Sequence, residues 1–178
     1  MGKITKALKA QVVNNVLKKW GYKAKADALI VREKEWARNY IKSRLPEGFE
    51  KVAKAHPDWF PKNHILSVYC IGTVSGVLKN EDRKYGNIYF DEDISVPHCM
   101  TSRFETPREN PLLKEARELV TMRDELEEKT MMYLNSVSTT KRLVELYPEM
   151  DEYLPKEEKT NALMLPSQSF GDMMKQYI

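Results

Sequence analysis

The chain has 178 residues, 42% hydrophobic and 31% charged, the length of one ordinary domain with enough apolar material for a core that needs no staples. Seven glycines and nine prolines are too few for an all-β fold, and the composition excludes wholesale disorder. The net charge of +3 does not by itself imply a nucleic-acid partner, although cations outnumber acids from Met1 to Lys54 and acids prevail from Glu109 onward.

Ile4, Leu8, Val12, Val16 and Trp20 recur at every fourth position, with Val13 and Leu17 widening the stripe. That spacing predicts an amphipathic helix, and Gly21 is placed to end it. A second helix is predicted from Ala24 to Leu45, with Ala28, Leu29, Val31, Trp36, Tyr40 and Ile41 facing inward and Pro46 and Gly48 stopping it. Phe49 to Ala55 adds a further turn or two before the stiff aromatic loop from His56 to Pro61.

The strand-like region follows. Ile65 to Val74 and Gly86 to Phe90 are β-branched and aromatic, and the stretch from Lys79 to Gly86 between them is charged. This predicts an antiparallel hairpin, with a short third strand at Ile94 to Val96. Pro97, Pro107 and Pro111 then mark a loop, and Asn110 caps a long helix over residues 111–136. Leu112, Leu119, Leu126 and Tyr133 repeat every seven residues along it, a seam suited to another helix or to a homodimer. Ser138 caps a short helix from Thr139 to Leu146 that stops at Tyr147-Pro148, and Glu149 to Leu154 makes another turn. The reading is a mostly helical α+β domain over residues 1–160, with a tail over 161–178 that carries a short amphipathic turn.

The run from Ile65 to Val77 is interrupted by Ser67, Gly72, Thr73, Ser75 and Gly76, so no membrane span is expected. The start shows no secretory signal, and Cys70 and Cys99 read as reduced thiols, so the expected location is the cytoplasm.

No Gly-rich phosphate loop, Cys-x-x-Cys or His-Glu-x-x-His pattern occurs, and no cofactor or metal is expected. Asp91, Asp93, His98 and Cys99 form one polar constellation. It could serve acid–base, magnesium or thiol chemistry, but strand neighbours such as His98 and Cys99 point to opposite faces. Lys79, Arg83 and Lys84 beside Tyr85 offer cations next to a ring, a combination suited to phosphate contact and base stacking. Lys6 and Lys9 on the polar face of the first helix are a second basic candidate. The absence of a catalytic pattern favours a non-enzymatic binding protein for a nucleic acid, a nucleotide or a host protein. The alternatives are an enzyme of nucleobase or nucleotide modification and a dimeric assembly protein.

One segment adds to this. Leu134-Asn135-Ser136-Val137-Ser138-Thr139-Thr140-Lys141-Arg142-Leu143-Val144-Glu145-Leu146-Tyr147-Pro148-Glu149, followed by Tyr153-Leu154-Pro155-Lys156-Glu157-Glu158-Lys159, resembles the nucleotide modification associated domain 5 family of small phage proteins. Tyr147 stands where the family pattern has a tryptophan. The resemblance implies a phage or prophage origin, action in the bacterial host cytoplasm, and work near nucleic acids, nucleotides or host defence. It brings no catalytic residues with it.

Overall fold

A computed structural model describes residues 2–59, 62–63, 66–81, 83–90, 94–95 and 103–155; Asp91, Asp93, His98, Cys99 and the tail 161–178 lie outside the described residues. The fold is mostly helical α+β. Its helices are α1 (Lys6–Trp20), α2 (Tyr22–Arg44), α3 (Phe49–Ala55), α4 (Val74–Leu78), α5 (Leu113–Asn135) and α6 (Thr140–Leu146). Its strands are β1 (Lys62–Asn63), β2 (Ser67–Ile71), β3 (Tyr85–Tyr89), β4 (Ile94–Ser95) and β5 (Arg103–Glu109). The chain forms two compact units, one of Met1–Lys25 with Leu119–Ile178, the other of Ala26–Glu118.

In the first unit the Thr5 side chain accepts a hydrogen bond from Leu8 N–H and so caps α1. At the other end Gly21, at φ 78°, returns its N–H to the Leu17 and Lys18 carbonyls, a left-handed stop that glycine adopts at little cost. The predicted stripe is buried at Leu8, Val12, Val16 and Trp20. Leu119, Leu126 and Leu134 of α5 are buried in this unit, as are Leu143, Met150, Tyr153 and Leu154 of the C-terminal corner. The corner is tied to the N-terminus by hydrogen bonds from Ile4 N–H to the Ser138 carbonyl and from Thr140 N–H to the Gly2 carbonyl. The cap of α6 is Thr139, whose side chain accepts from Arg142 N–H, so Ser138 lies one residue too early to be it.

The second unit holds the sheets. β2 pairs antiparallel with β3 as predicted, but the segment read as a proline loop contains β5, which pairs with β2 in parallel. The result is a three-stranded sheet in the order β3-β2-β5. β5 is an edge strand, the position where a strand tolerates a residue such as Pro107 that donates no backbone hydrogen bond. Its register shifts between Tyr69 and Ile71, which face Glu105 and Glu109. The predicted first strand is also shorter than expected, because Thr73 caps α4 by accepting from Gly76 N–H. The predicted third strand exists as β4, but it pairs with β1 in a separate ribbon.

Val68, Cys70, Ile88, Phe90 and Phe104 pack on Ala37 and Ile41 of α2, with Trp36 and Tyr40 partly buried against them. The inward stripe of α2 is therefore Leu29, Glu33, Ala37 and Ile41, whereas Val31 is 65% exposed and Ala28 is exposed too. Glu33 is the unexpected member. Its Oε1 accepts from Val74 N–H at 2.6 Å and from Asn110 Nδ2 at 2.5 Å. Asn110 in turn donates its backbone N–H to the Ile71 carbonyl and accepts from Leu112 N–H with Oδ1, which sets the start of α5.

Burial pushes the Glu33 pKa above the ordinary carboxylate value, against the opposing pull of those two hydrogen bonds. A raised carboxyl pKa means the folded state holds the proton longer. The stability linked to that proton is therefore present below the unfolded pKa and lost as pH rises through the folded one. Glu33→Gln keeps an Oε1 acceptor and is expected to remove this slope while melting at least as high as the parent at neutral pH. Glu33→Ala orphans two buried donors and is expected to lose about 1–3 kcal/mol for each. Urea denaturation of the three proteins across pH 4 to 8 checks both outcomes.

Candidate functional site

Alternation along the strands sorts the residues of the larger sheet. Val68, Cys70, Ile88, Phe104 and Thr106 are buried on the core side, so their neighbours Ser67, Tyr69, Ile71, Tyr85, Asn87, Tyr89, Arg103 and Glu105 lie on the opposite face. The registers set that face out in rows. Tyr89, Ser67 and Arg103 form one row; Asn87, Tyr69 and Glu105 form the next; Tyr85 sits beside Ile71 in the third.

The rings on this face are organised. Tyr69 and Tyr85 stack with centroids 5.5 Å apart and planes 16° apart. The Arg103 guanidinium lies 4.0 Å from the Tyr69 ring centre, and Lys84 Nζ lies 5.4 Å from that of Tyr85. Arg103 also approaches Glu105 at 3.5 Å, which holds it across the face. Tyr85 remains 44% exposed and Tyr89 58% exposed. Such cross-strand pairs stabilise a sheet modestly, by about 0.2–1 kcal/mol each. Tyr89 makes no ring contact or side-chain hydrogen bond among the described residues, so pairing does not account for its place.

A π surface flanked by a guanidinium and an ammonium can stack a planar heterocycle and pair with a phosphate. Base–aromatic stacking is worth about 1–3 kcal/mol per base, and cations over rings add to it.

Two of the sequence-derived residues, Lys84 and Tyr85, lie at this face. Lys79 ends α4 and is exposed; Arg83 and Lys84 form the turn that enters β3, and Tyr85 opens that strand. Arg83 is held by Glu81 at 3.5 Å. Lys6 and Lys9 belong to the other unit, where Lys9 Nζ donates to Asn135 Oδ1 at 2.5 Å. Tyr69, Asn87, Tyr89 and Arg103 went unrecognised in the sequence. The alternation of Ser67-Val68-Tyr69 and of Asn87-Ile88-Tyr89 carried a signal for three of them, whereas Arg103 reaches the face only through the parallel pairing of β5.

Among the described residues the core side offers no competing chemistry. Cys70 Sγ donates to the Gly72 carbonyl at 3.1 Å, and burial beside Glu33 pushes its pKa up to about 12, which keeps the thiol protonated. An open cleft of about 480 Å³ at the turn from α2 to α3 is lined by two lysines, Lys42, held by Glu50 at 3.0 Å, and Lys51, and its one ring, Phe49, is buried. Among the described residues no cluster of three or more His, Cys, Asp or Glu could hold a metal ion, and no helix is long and apolar enough to cross a membrane.

These features define a mostly helical α+β protein whose small mixed sheet turns a cation-rimmed tyrosine face outward. The chain belongs to the nucleotide modification associated domain 5 family, whose model matches residues 3–175, nearly its whole length. No curated protein and no solved structure matches it.

The Cys70 assignment has a direct check. A pKa some three units above that of a free thiol lowers the thiolate fraction about 10³-fold. Iodoacetamide at pH 8 is expected to leave Cys70 unmodified in the folded protein and to alkylate it in urea, as read by peptide mass spectrometry.

Proposed function

We propose that the protein binds a nucleobase-bearing ligand on the outer face of its three-stranded sheet and acts by occupancy, without turnover, as an accessory to nucleotide modification. The observation that carries this reading is the stacked Tyr69–Tyr85 pair with Arg103 and Lys84 over its rings. Two tyrosine rings and two cations converge on one exposed face, and none of them is needed to close the core behind it. The membership in a nucleotide-modification family supports a ligand of this chemistry. The division of labour follows from the side chains: rings for the base, Arg103 and Lys84 for charge, with Lys79 and Arg83 extending the cationic rim.

Anisotropy titration of a short labelled DNA strand at several salt concentrations separates these roles. Tyr85→Leu is expected to weaken binding about 5- to 150-fold with an unchanged salt slope. Lys84→Ala is expected to flatten the slope of log K against log salt by about 0.7. Both variants should melt close to the parent. Unaltered binding in both would place any ligand elsewhere on the molecule.

A further inference from the structure

The sheet face carries more than one place for a base, and from this, resting on the nucleobase-binding reading above, we infer that its ligand is a single-stranded nucleic acid held at two separate stacking stations. The first station is Tyr85, backed by Tyr69, whose ring lies between Tyr85 and the Arg103 guanidinium. The second is Tyr89, the most exposed ring of the face. Tyr85 and Tyr89 lie on the same side of β3 four residues apart, which at about 3.4 Å per residue separates them by about 14 Å. Bases stacked in a strand are about 3.4 Å apart, so one base cannot cover both rings and the two stations take bases that are not neighbours.

Between the stations stands Asn87, opposite Tyr69. Its Oδ1 is enclosed and accepts no hydrogen bond among the described residues. An orphaned amide oxygen is costly, and an N–H on the edge of an intervening base would satisfy it.

The arrangement is open, with the rings side by side along a strand. A lone nucleotide would touch one station and leave the other wet, whereas a strand gains from both at once. Arg103, at the Tyr89 end of the face, and Lys84, at the Tyr85 end, supply charge near each station for the phosphates of such a strand. A base-paired duplex hides its π faces and cannot use either ring.

Calorimetric titration of the full chain with adenosine monophosphate, a deoxyadenosine octanucleotide and the corresponding duplex tests this. The octanucleotide is expected to bind about 5- to 150-fold more tightly than the mononucleotide and more tightly than the duplex at equal salt. Tyr89→Leu, at an exposed position, is expected to bring the octanucleotide's affinity down to that of the mononucleotide while leaving the melting temperature unchanged. Equal affinity for monomer and octamer, with a silent Tyr89→Leu, would overturn the two-station inference and leave a single-base site standing. Equal affinity for duplex and single strand would overturn stacking as the mode of binding. Failure of the parent to bind either single-stranded ligand at low salt would overturn the nucleobase reading itself.

Discussion

A single buried carboxylate organises the unit that holds the sheet. Glu33 is 4% exposed, and its Oε1 receives both the first N–H of α4 and the Asn110 amide. A charge in such a place is costly and stabilises only through the donors that meet it. Asn110 then joins the end of β2 to the start of α5 through Ile71 and Leu112. One side chain of α2 thus fixes where β2 stops, where α4 begins and where the chain enters α5. Gly72, at φ 74°, makes the sharp exit between the first two, where a Cβ would run into Leu113. With the back of the sheet pinned in this way, the front can carry tyrosines that do not contribute to the core.

The edge strand β5 completes that front. It pairs with β2 regularly over its first three residues and then shifts register before Glu109. Thr106 Oγ1 accepts from Arg108 N–H across the irregular stretch, which includes Pro107. Tyr40 of α2 donates its hydroxyl to the Glu105 carbonyl at 2.6 Å and holds the regular part in place. Arg103 consequently lies in the ordered start of the strand, in the row of Ser67 and Tyr89, close enough to Tyr69 to stack on it. The distortion is kept away from the rings.

Much of the helical framework is legible in the sequence because its signals are local. The four-residue spacing of Leu8, Val12, Val16 and Trp20, the stop at Gly21 and the short helix ended by Tyr147-Pro148 all depend on residues within a turn or two of each other. The inward face of α2 is not legible by hydrophobicity, since its stripe passes through Glu33 and the small Ala37 while leaving Val31 in water. β5 is hidden for another reason. Parallel pairing needs a partner more than thirty residues away, and the proline in the strand resembles loop punctuation. Half of the candidate face is similarly concealed: Lys84 and Tyr85 stand out as a charged turn, but Tyr69 and Tyr89 read as ordinary strand residues until the sheet shows which side they share.

The central claim is that the outer sheet face receives bases on its tyrosine rings. Photocross-linking with a bromodeoxyuridine-substituted single strand, followed by peptide mass spectrometry, reports the contact surface directly. Adducts on Tyr85 or Tyr89 are predicted, because a base stacked on a ring brings its reactive carbon against that side chain. Adducts confined to α1 peptides carrying Lys6, Lys9 and Lys18, with none on the sheet tyrosines, would contradict the claim.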